Sequence, residues 1–284
     1  MILQEPVTPV RRRQNVQRIE KRKQPVTIGI GFLCADGLII GADSEVSADT
    51  DKRQESKIFT MNENGSSPGP TVVFAGSGWL DYVKMAVEKI KKQAIFATTG
   101  YEIEEVVEQT VLEVYRKHIR FYSGDDKPFF NLLTGIKDGD RLQLLLTSST
   151  SIRQVYEPVC IGVGETLANY LIRRLTPQRE TTEKAAHLAV QILEQVKANV
   201  PGCGGMFSEV VMLPKHGPVS RISPSNMLDI EDRGRGFMRL IKPLLLSFSD
   251  ANTAEDEFEG ELAVFTEECR KARQESQRRI RRSN

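Results

Sequence analysis

The regular alternation of apolar and polar residues starts at Val26. Residues 1–24 are charged, carry Pro6 and Pro9 and show no strand pattern, so they are expected to be disordered or to form one short helix. From Thr27 two apolar runs, Thr27–Leu33 and Leu38–Asp43, flank Ala35-Asp36-Gly37 and predict a β-hairpin. Lys57–Met61 and Thr71–Ala75 read as further strands, separated by a turn over Asn64–Pro70 and closed by Gly76-Ser77-Gly78. Helical spacing then takes over. Tyr82, Met85, Ala86 and Ile90 form one apolar stripe and Val106, Val107, Val111, Leu112 and Tyr115 a second, with Asp81 and Glu104-Glu105 near the starts, where acids suit the helix dipole. Phe130–Ile136 and Leu142–Thr147, joined by Lys137-Asp138-Gly139-Asp140, predict another hairpin. A strand over Val155–Ile161 breaks at Gly162-Val163-Gly164. Helices follow over Leu167–Leu175 and Thr182–Ala198, the latter capped by Thr181 or Thr182, and Val210–Leu213 returns to strand.

The order is strands, two helices, strands, two helices, strand. Each helix pair can cover the outer face of a sheet while the two sheets pack face to face, which gives an α+β fold, a four-layer αββα sandwich. Separate α+β domains are the alternative arrangement. After about residue 222 the character changes: Phe237–Phe248 is a short apolar segment interrupted by Pro243, and Glu255–Arg282 reads as a charged helix. The expected division is an extension over 1–26, a main domain over 27–221 and an appendage over 222–284.

Composition narrows the class. The 284 residues are 39% hydrophobic and 27% charged, with a net charge of +1, as in ordinary globular proteins. The neutral total hides two basic ends, at Arg11–Lys23 and Arg270–Arg282. Without interleaved aromatics these runs read as solvated tails, so nucleic acid is not an expected partner. Cys34, Cys160, Cys203 and Cys269 form no C-x-x-C pair, so neither a zinc site nor a disulfide framework is indicated, and no cofactor or metal is expected. A reducing cytoplasm is the simplest location. Met1-Ile2-Leu3 leads at once into polar residues and prolines rather than the apolar core of a secretory signal, and no apolar run approaches the ~20 residues of a membrane helix.

The opening hairpin carries the candidate chemistry. Folded about its turn, it brings Thr27 and Asp43 to one end, and Lys57 follows fourteen residues after Asp43. A threonine hydroxyl must lose its proton to an adjacent base as it attacks a carbonyl, and an α-amine of pKa about 7.7–8.0 can take it if Thr27 is the chain terminus. Lys57 supplies positive charge that lowers local pKa values, and Asp43 holds it charged and oriented. Each residue also has a plain structural reading: strand former, turn residue and exposed charge. His118, His187 and His216 are scattered and read as structural, and Cys203 has no histidine nearby in sequence to activate its thiol.

The chain resembles the proteasome β-subunit family of N-terminal nucleophile hydrolases over roughly residues 27–220. The resemblance rests on Thr27-Ile28-Gly29, Asp36 through Ser44, Lys57-Ile58-Phe59, Ala75-Gly76, Gly162-Val163-Gly164 and Gly204-Gly205-Met206, in that order. It implies a threonine endopeptidase with Thr27 as nucleophile, Asp43 and Lys57 beside it, and the Gly76 N–H as oxyanion donor. It further implies that Ser47 pairs its backbone with an extended substrate, and that Val46, Phe59, Phe74 and Gly78 line an apolar specificity pocket. The family's supporting serines are replaced by Val163 and Cys203, its aspartate by Val200, and a common basic residue by Glu45. A peptide or unfolded protein is the implied substrate and a homo-oligomeric ring the implied assembly. No G-x-x-x-x-G-K-[ST] motif is present, so ATP-driven unfolding requires a separate ATPase. The alternative is a non-catalytic structural subunit of a similar assembly.

Twenty-six residues precede Thr27 and keep its amine as an amide. Either the Thr27 hydroxyl attacks the Val26 carbonyl in an autolysis crowded by the β-branched side chain, or translation starts at codon 26, since GTG encodes valine and serves bacteria as a start.

Overall fold

The computed structural model describes residues 27–48, 51–65, 69–124, 127–175, 180–250 and 253–283. The expectation for residues 1–24 lies outside the described residues. The first sheet is built on the opening hairpin, β1 (Ile28–Leu33) and β2 (Gly37–Asp43), which pair antiparallel with Gly29 opposite Ala42 and Leu33 opposite Leu38. Strand β2 is buried along its whole length because β1 flanks one edge and a later strand the other, and both of its faces are covered. A two-stranded ribbon follows, β3 (Glu45–Ala48) with β4 (Asp51–Gln54), which the sequence reading did not anticipate. The chain then crosses to the second sheet through β5 (Ile58–Met61) and β6 (Thr71–Gly78). Strand β6 runs through Gly76-Ser77-Gly78 instead of stopping before it, because Gly76, Ser77 and Gly78 keep partners on β7.

Helices α1 (Leu80–Gln93) and α2 (Gly100–Val114) lie over the second sheet, linked by a 3₁₀ turn at Ala94–Phe96, and α2 runs on into a π turn at Tyr115–Ile119. The start of α2 is set by a capping box of Thr99 and Glu102, one turn earlier than Glu104-Glu105 suggested. Strands β7 (Phe130–Asp138), β8 (Arg141–Ser148) and β9 (Ser151–Gln154) complete the sheet in the order β5-β6-β7-β8-β9. The strand expected over Val155–Ile161 is in fact a crossover followed by β10 (Val159–Gly162), which joins the first sheet beside β1. Val155 is buried and donates its N–H to Leu144, and Pro158, which has no N–H to donate, lies in the crossing.

Helices α3 (Glu165–Leu175) and α4 (Thr182–Asn199) cover the first sheet, which β11 (Ser208–Pro214) and β12 (Ser220–Arg221) finish in the order β10-β1-β2-β11-β12. The N-cap of α4 is Thr181, but the capping oxygen comes from the opening hairpin. Asp36 accepts from the Thr182 N–H at 2.7 Å and from its hydroxyl at 3.1 Å, which ties the β1–β2 turn to this helix. Helix α5 (Pro224–Ser249) absorbs the apolar segment around Pro243, which lies inside the helix without ending it, and α6 (Glu255–Ser283) folds back along it. Among the described residues no helix is long and apolar enough to cross a membrane.

The result is an αββα sandwich with three layers of core. One lies between the first sheet and α3, α4 and the start of α5, a second between the other sheet and α1 and α2, and a third between the sheets. Strand alternation sorts residues among them: Ile28, Ile30 and Phe32 face the helices, while Gly29 and Gly31 face the inter-sheet core. A Cβ on Gly31 would stand 3.1 Å from Leu144 of the opposite sheet, and one on Gly135 2.6 Å from Leu38, so these glycines set how closely the sheets approach.

Ile40 is fully buried between the sheets, and truncation to alanine is expected to cost about 2–5 kcal/mol in denaturant unfolding. Ile95 is 69% exposed, and the same truncation there should stay within about 0.5 kcal/mol.

Candidate active site

Three elements meet at the open end of the first hairpin. The β1–β2 register sets Thr27, just before β1, beside Asp43 at the end of β2, and Lys57, just before β5, arrives from the opposite sheet. The Thr27 hydroxyl donates to Asp43 Oδ1 at 2.7 Å and accepts from Lys57 Nζ at 2.5 Å. Lys57 Nζ also donates to Asp43 Oδ1 at 2.7 Å. Backbone donors complete the carboxylate shell: the Ile28 N–H reaches Oδ1 at 3.2 Å and the Gly204 N–H reaches Oδ2 at 3.0 Å. All three side chains are buried, Thr27 and Lys57 at 3% exposure and Asp43 at 1%. Burial pushes the Lys57 ammonium below its ordinary pKa, and the charge of Asp43 opposes that shift without cancelling it. The cluster can therefore hold a hydroxyl proton between a carboxylate and an amine that is easier to neutralise than an exposed lysine.

Glycine-rich turns form the walls. Gly162 sits at φ +102°, and a Cβ there would lie 2.2 Å from the Thr27 carbonyl oxygen. Gly205 sits at φ +106° with Ser44 Oγ 2.4 Å from where its Cβ would be. Ser44 is fully buried; its Oγ lies 2.7 Å from Gln54 Oε1 and 2.6 Å from the Phe207 carbonyl, and Gln54 Oε1 accepts from the Met206 N–H at 2.9 Å. Ser44 and Gln54 thus lock the Gly204–Met206 loop against the end of β2 and the β3–β4 ribbon. The sequence reading gave neither residue a role; Ser44 lay within its motif, but nothing in the local pattern marked Gln54. Among the described residues no group of three or more His, Cys, Asp and Glu could hold a metal.

Residues 26–211 match the family model described as "Proteasome subunit". The chain belongs to the proteasome subunit family. Its fold is similar to solved structures of Anbu, an ancestral beta-subunit, from Yersinia bercovieri, at 17% identity and TM-score 0.63 over 76% of this chain and 96% of that one. Anbu from Hyphomicrobium sp. strain MC1 gives 17% identity and TM-score 0.62 over 75% and 95%. A helical assembly of the Anbu complex from Pseudomonas aeruginosa gives 15% identity and TM-score 0.66 over 81% and 100%. None of the curated proteins matches the chain.

Within this proteasome-family fold the remaining sequence-assigned positions divide. Glu45 N–H donates to the Gly204 carbonyl on the side of β3 away from β4, and strand periodicity turns the backbone groups of Ser47 to that same outer side, where an extended peptide could pair. Gly76 N–H donates to the Lys57 carbonyl at 3.2 Å, so an oxyanion would have to share or displace that bond. Gly76 also has a packing role, since a Cβ there would stand 2.2 Å from Val83 of α1. Phe74, which the resemblance implies partly fills the specificity pocket, is fully buried in the core beneath α1 and α2. Phe59 packs half-buried against the same core, and Val46 is half-buried on β3. Gly78, at φ +94°, answers to packing as well: a Cβ would meet the Phe129 carbonyl at 2.3 Å.

At the departures from the family pattern, Val163 is 44% exposed, Val200 packs half-buried against the helix-facing core and Glu45 is buried. The Cys203 thiol is pushed up to about 12, by burial first and by Asp43 next, which favours the protonated form. An apolar cavity of about 440 Å³ borders the same loop, lined by Met206, Phe207, Met227 and Leu228 among others, and does not reach Thr27.

Replacing Asp43 by alanine strands the buried Lys57 ammonium and is expected to destabilise the fold by about 3–5 kcal/mol in denaturant titrations near neutral pH. The lysine also sets a pH slope. Because its folded pKa lies below the unfolded 10.5, the unfolded chain binds more protons between those values. Stability measured relative to Lys57→Met should therefore rise with pH through that window, and a flat or falling difference would contradict the burial argument.

Proposed function

We propose that this chain is a threonine-nucleophile peptidase or amide hydrolase of the proteasome type, acting once Thr27 has a free α-amine. The observation that carries the reading is the shared hydrogen-bonded contact of Thr27 Oγ1 with both Lys57 Nζ and Asp43 Oδ1. In the reaction the freed amine takes the hydroxyl proton as Oγ1 bonds to the substrate carbonyl carbon. Lys57, held by Asp43, keeps positive charge against the developing alkoxide. The tetrahedral oxyanion is met by the Gly76 N–H as it gives up the Lys57 carbonyl, a contribution of about 3–4 kcal/mol in comparable sites. The protonated amine then passes its proton to the leaving nitrogen as the C–N bond breaks, and water, activated by the same amine, hydrolyses the acyl ester.

The domain reading accompanies this: residues 1–26 are removed or not translated, 27–221 form the hydrolase and 222–284 are appended. Peptides or unfolded proteins are the proposed substrates, delivered by a separate ATPase in the cytoplasm. The chain is proposed to self-assemble, a reading supported by the helical assembly of the structurally similar Anbu from Pseudomonas aeruginosa.

A non-catalytic structural subunit is the second reading, favoured by the 3% exposure of Thr27, the filled position at Phe74 and the absence of a hydroxyl at Val163 and Cys203. Protein released by a protease so that Thr27 is its first residue separates the two. Hydrolysis of a fluorogenic peptide panel that falls about 10³-fold or more in Thr27→Ala supports the hydrolase. No turnover by the free-amine protein, its mass confirmed to begin at Thr27, overturns it in favour of the structural subunit. Intact mass of the protein from its natural host should show a species starting at Thr27.

A further inference from the structure

The hairpin of α5 and α6 has no core of its own. No residue of α5 beyond Glu231 is buried, and none of α6 whose side chain is described. The helices meet through Phe237 with Phe265 and Phe248 with Phe258, at ring separations of 5.6 and 6.4 Å. These contacts use one side of α5, yet eight of the twelve residues from Phe237 to Phe248 are apolar, which is apolar on nearly all sides. Met238, Leu245 and Leu246 stay 51–62% exposed on α5, and Val264 59% exposed on α6. A helix of that character is stable when something covers its second side.

The charge pattern of α6 identifies the cover. Residues 255–268 carry seven carboxylates and no cation, and residues 269–284 carry seven cations and one carboxylate, Glu275. Acids at a helix start and bases at its end suit the dipole, but that effect fades within a turn, whereas each block here spans about four turns. The boundary falls at Cys269, the midpoint of Glu255–Ser283. A helix that is acidic in one half and basic in the other is complementary to itself when a second copy lies antiparallel, the arrangement a two-fold axis produces. We infer that α6 pairs antiparallel with α6 of a second copy about a two-fold axis at Cys269, covering the exposed apolar side of the α5–α6 hairpin.

Counting outward from Cys269 gives the register. Glu268 lies level with the partner's Arg270 and Glu267 with the partner's Lys271. Farther out, Glu259 lies level with the partner's Arg279, Glu257 with the partner's Arg281 and Asp256 with the partner's Arg282. Arg270 and Lys271 pair within the helix, to Glu267 at 4.0 Å and Glu268 at 2.8 Å, so the test reverses the charges farther out. The inference rests only on the self-assembly part of the proposed function and names its surface; it does not depend on hydrolysis.

The test uses the full chain in sedimentation at micromolar concentration. The wild type should self-associate above its monomer mass of 31.9 kDa, more weakly at high salt. Reversing the acidic end (Asp256→Lys, Glu257→Lys, Glu259→Lys) should weaken association at least tenfold, as should reversing the basic end (Arg279→Glu, Arg281→Glu, Arg282→Glu), with helicity by circular dichroism unchanged. Carrying both reversals in one chain should restore association, because each reversed block again faces its opposite. A short bis-maleimide should join two copies through Cys269 and fail in Cys269→Ser. Self-association that ignores the reversals, or a cross-link running only through Cys34, would overturn this surface while leaving self-assembly standing. A wild-type chain that sediments as a monomer overturns both, and one that instead binds anionic phosphatidylserine vesicles assigns the hairpin to a membrane surface.

Discussion

The ion pair of Lys57 and Asp43 constrains everything around it. It joins two sheets at a depth where an unpaired charge would cost several kcal/mol, so each partner must be placed to within a few tenths of an ångström. The fold meets that demand from three directions. The β1–β2 register fixes Asp43 and Thr27 together, the turn at Gly204 supplies a backbone donor to the second carboxylate oxygen, and β5 delivers the lysine across the sandwich. The Thr27 hydroxyl is drawn in because each partner still has hydrogen-bonding capacity, and the geometry that satisfies the charges is therefore the geometry that polarises the hydroxyl.

That arrangement explains why glycine recurs at the same end of the molecule. Gly162 and Gly205 both hold positive φ, and each would drive a Cβ into an atom of the site or its support, the Thr27 carbonyl in one case and Ser44 in the other. Gly31 and Gly135 act one layer deeper, where they let the inner faces of the sheets close on Leu144 and Leu38. A larger residue at these inner positions would move the sheets apart and lengthen the reach from Lys57 to Asp43. Sheet spacing and site geometry are one constraint.

Much of this was legible in the chain because it is local. The hairpin register follows from the alternation on either side of Ala35-Asp36-Gly37, and the Thr27–Asp43 contact follows from the register. The four-layer order followed from the succession of periods. What escaped had no local signature. The β3–β4 ribbon is four residues a side and mostly polar, and it is held by Ser44, Gln54 and the Gly204 loop, partners some 150 residues apart. The helix through Pro243 looked like an interrupted apolar segment because the missing N–H is visible in the sequence while the turns on either side that tolerate it are not. The resemblance implies that Phe74 partly fills a pocket, and only tertiary packing shows how completely α1 and α2 cover it.

The departures from the family pattern bear on chemistry more than on stability. Where the resemblance implies hydroxyls, Cys203 packs in the helix-facing core and Val163 is 44% exposed, and the ion pair still keeps its backbone donors from Ile28 and Gly204. The cluster is thus complete as a structure whether or not an amine is delivered to it. Lys57, pushed down by burial and 2.5 Å from the hydroxyl, is the group on which the difference turns. On the proposed hydrolase reading it is held as a cation by Asp43 and steadies an alkoxide, and burial makes its proton easier to give up than that of an exposed lysine. Under the autolysis alternative, attack on the Val26 carbonyl would need a base other than the α-amine, and Lys57 Nζ is the amine hydrogen-bonded to the attacking hydroxyl.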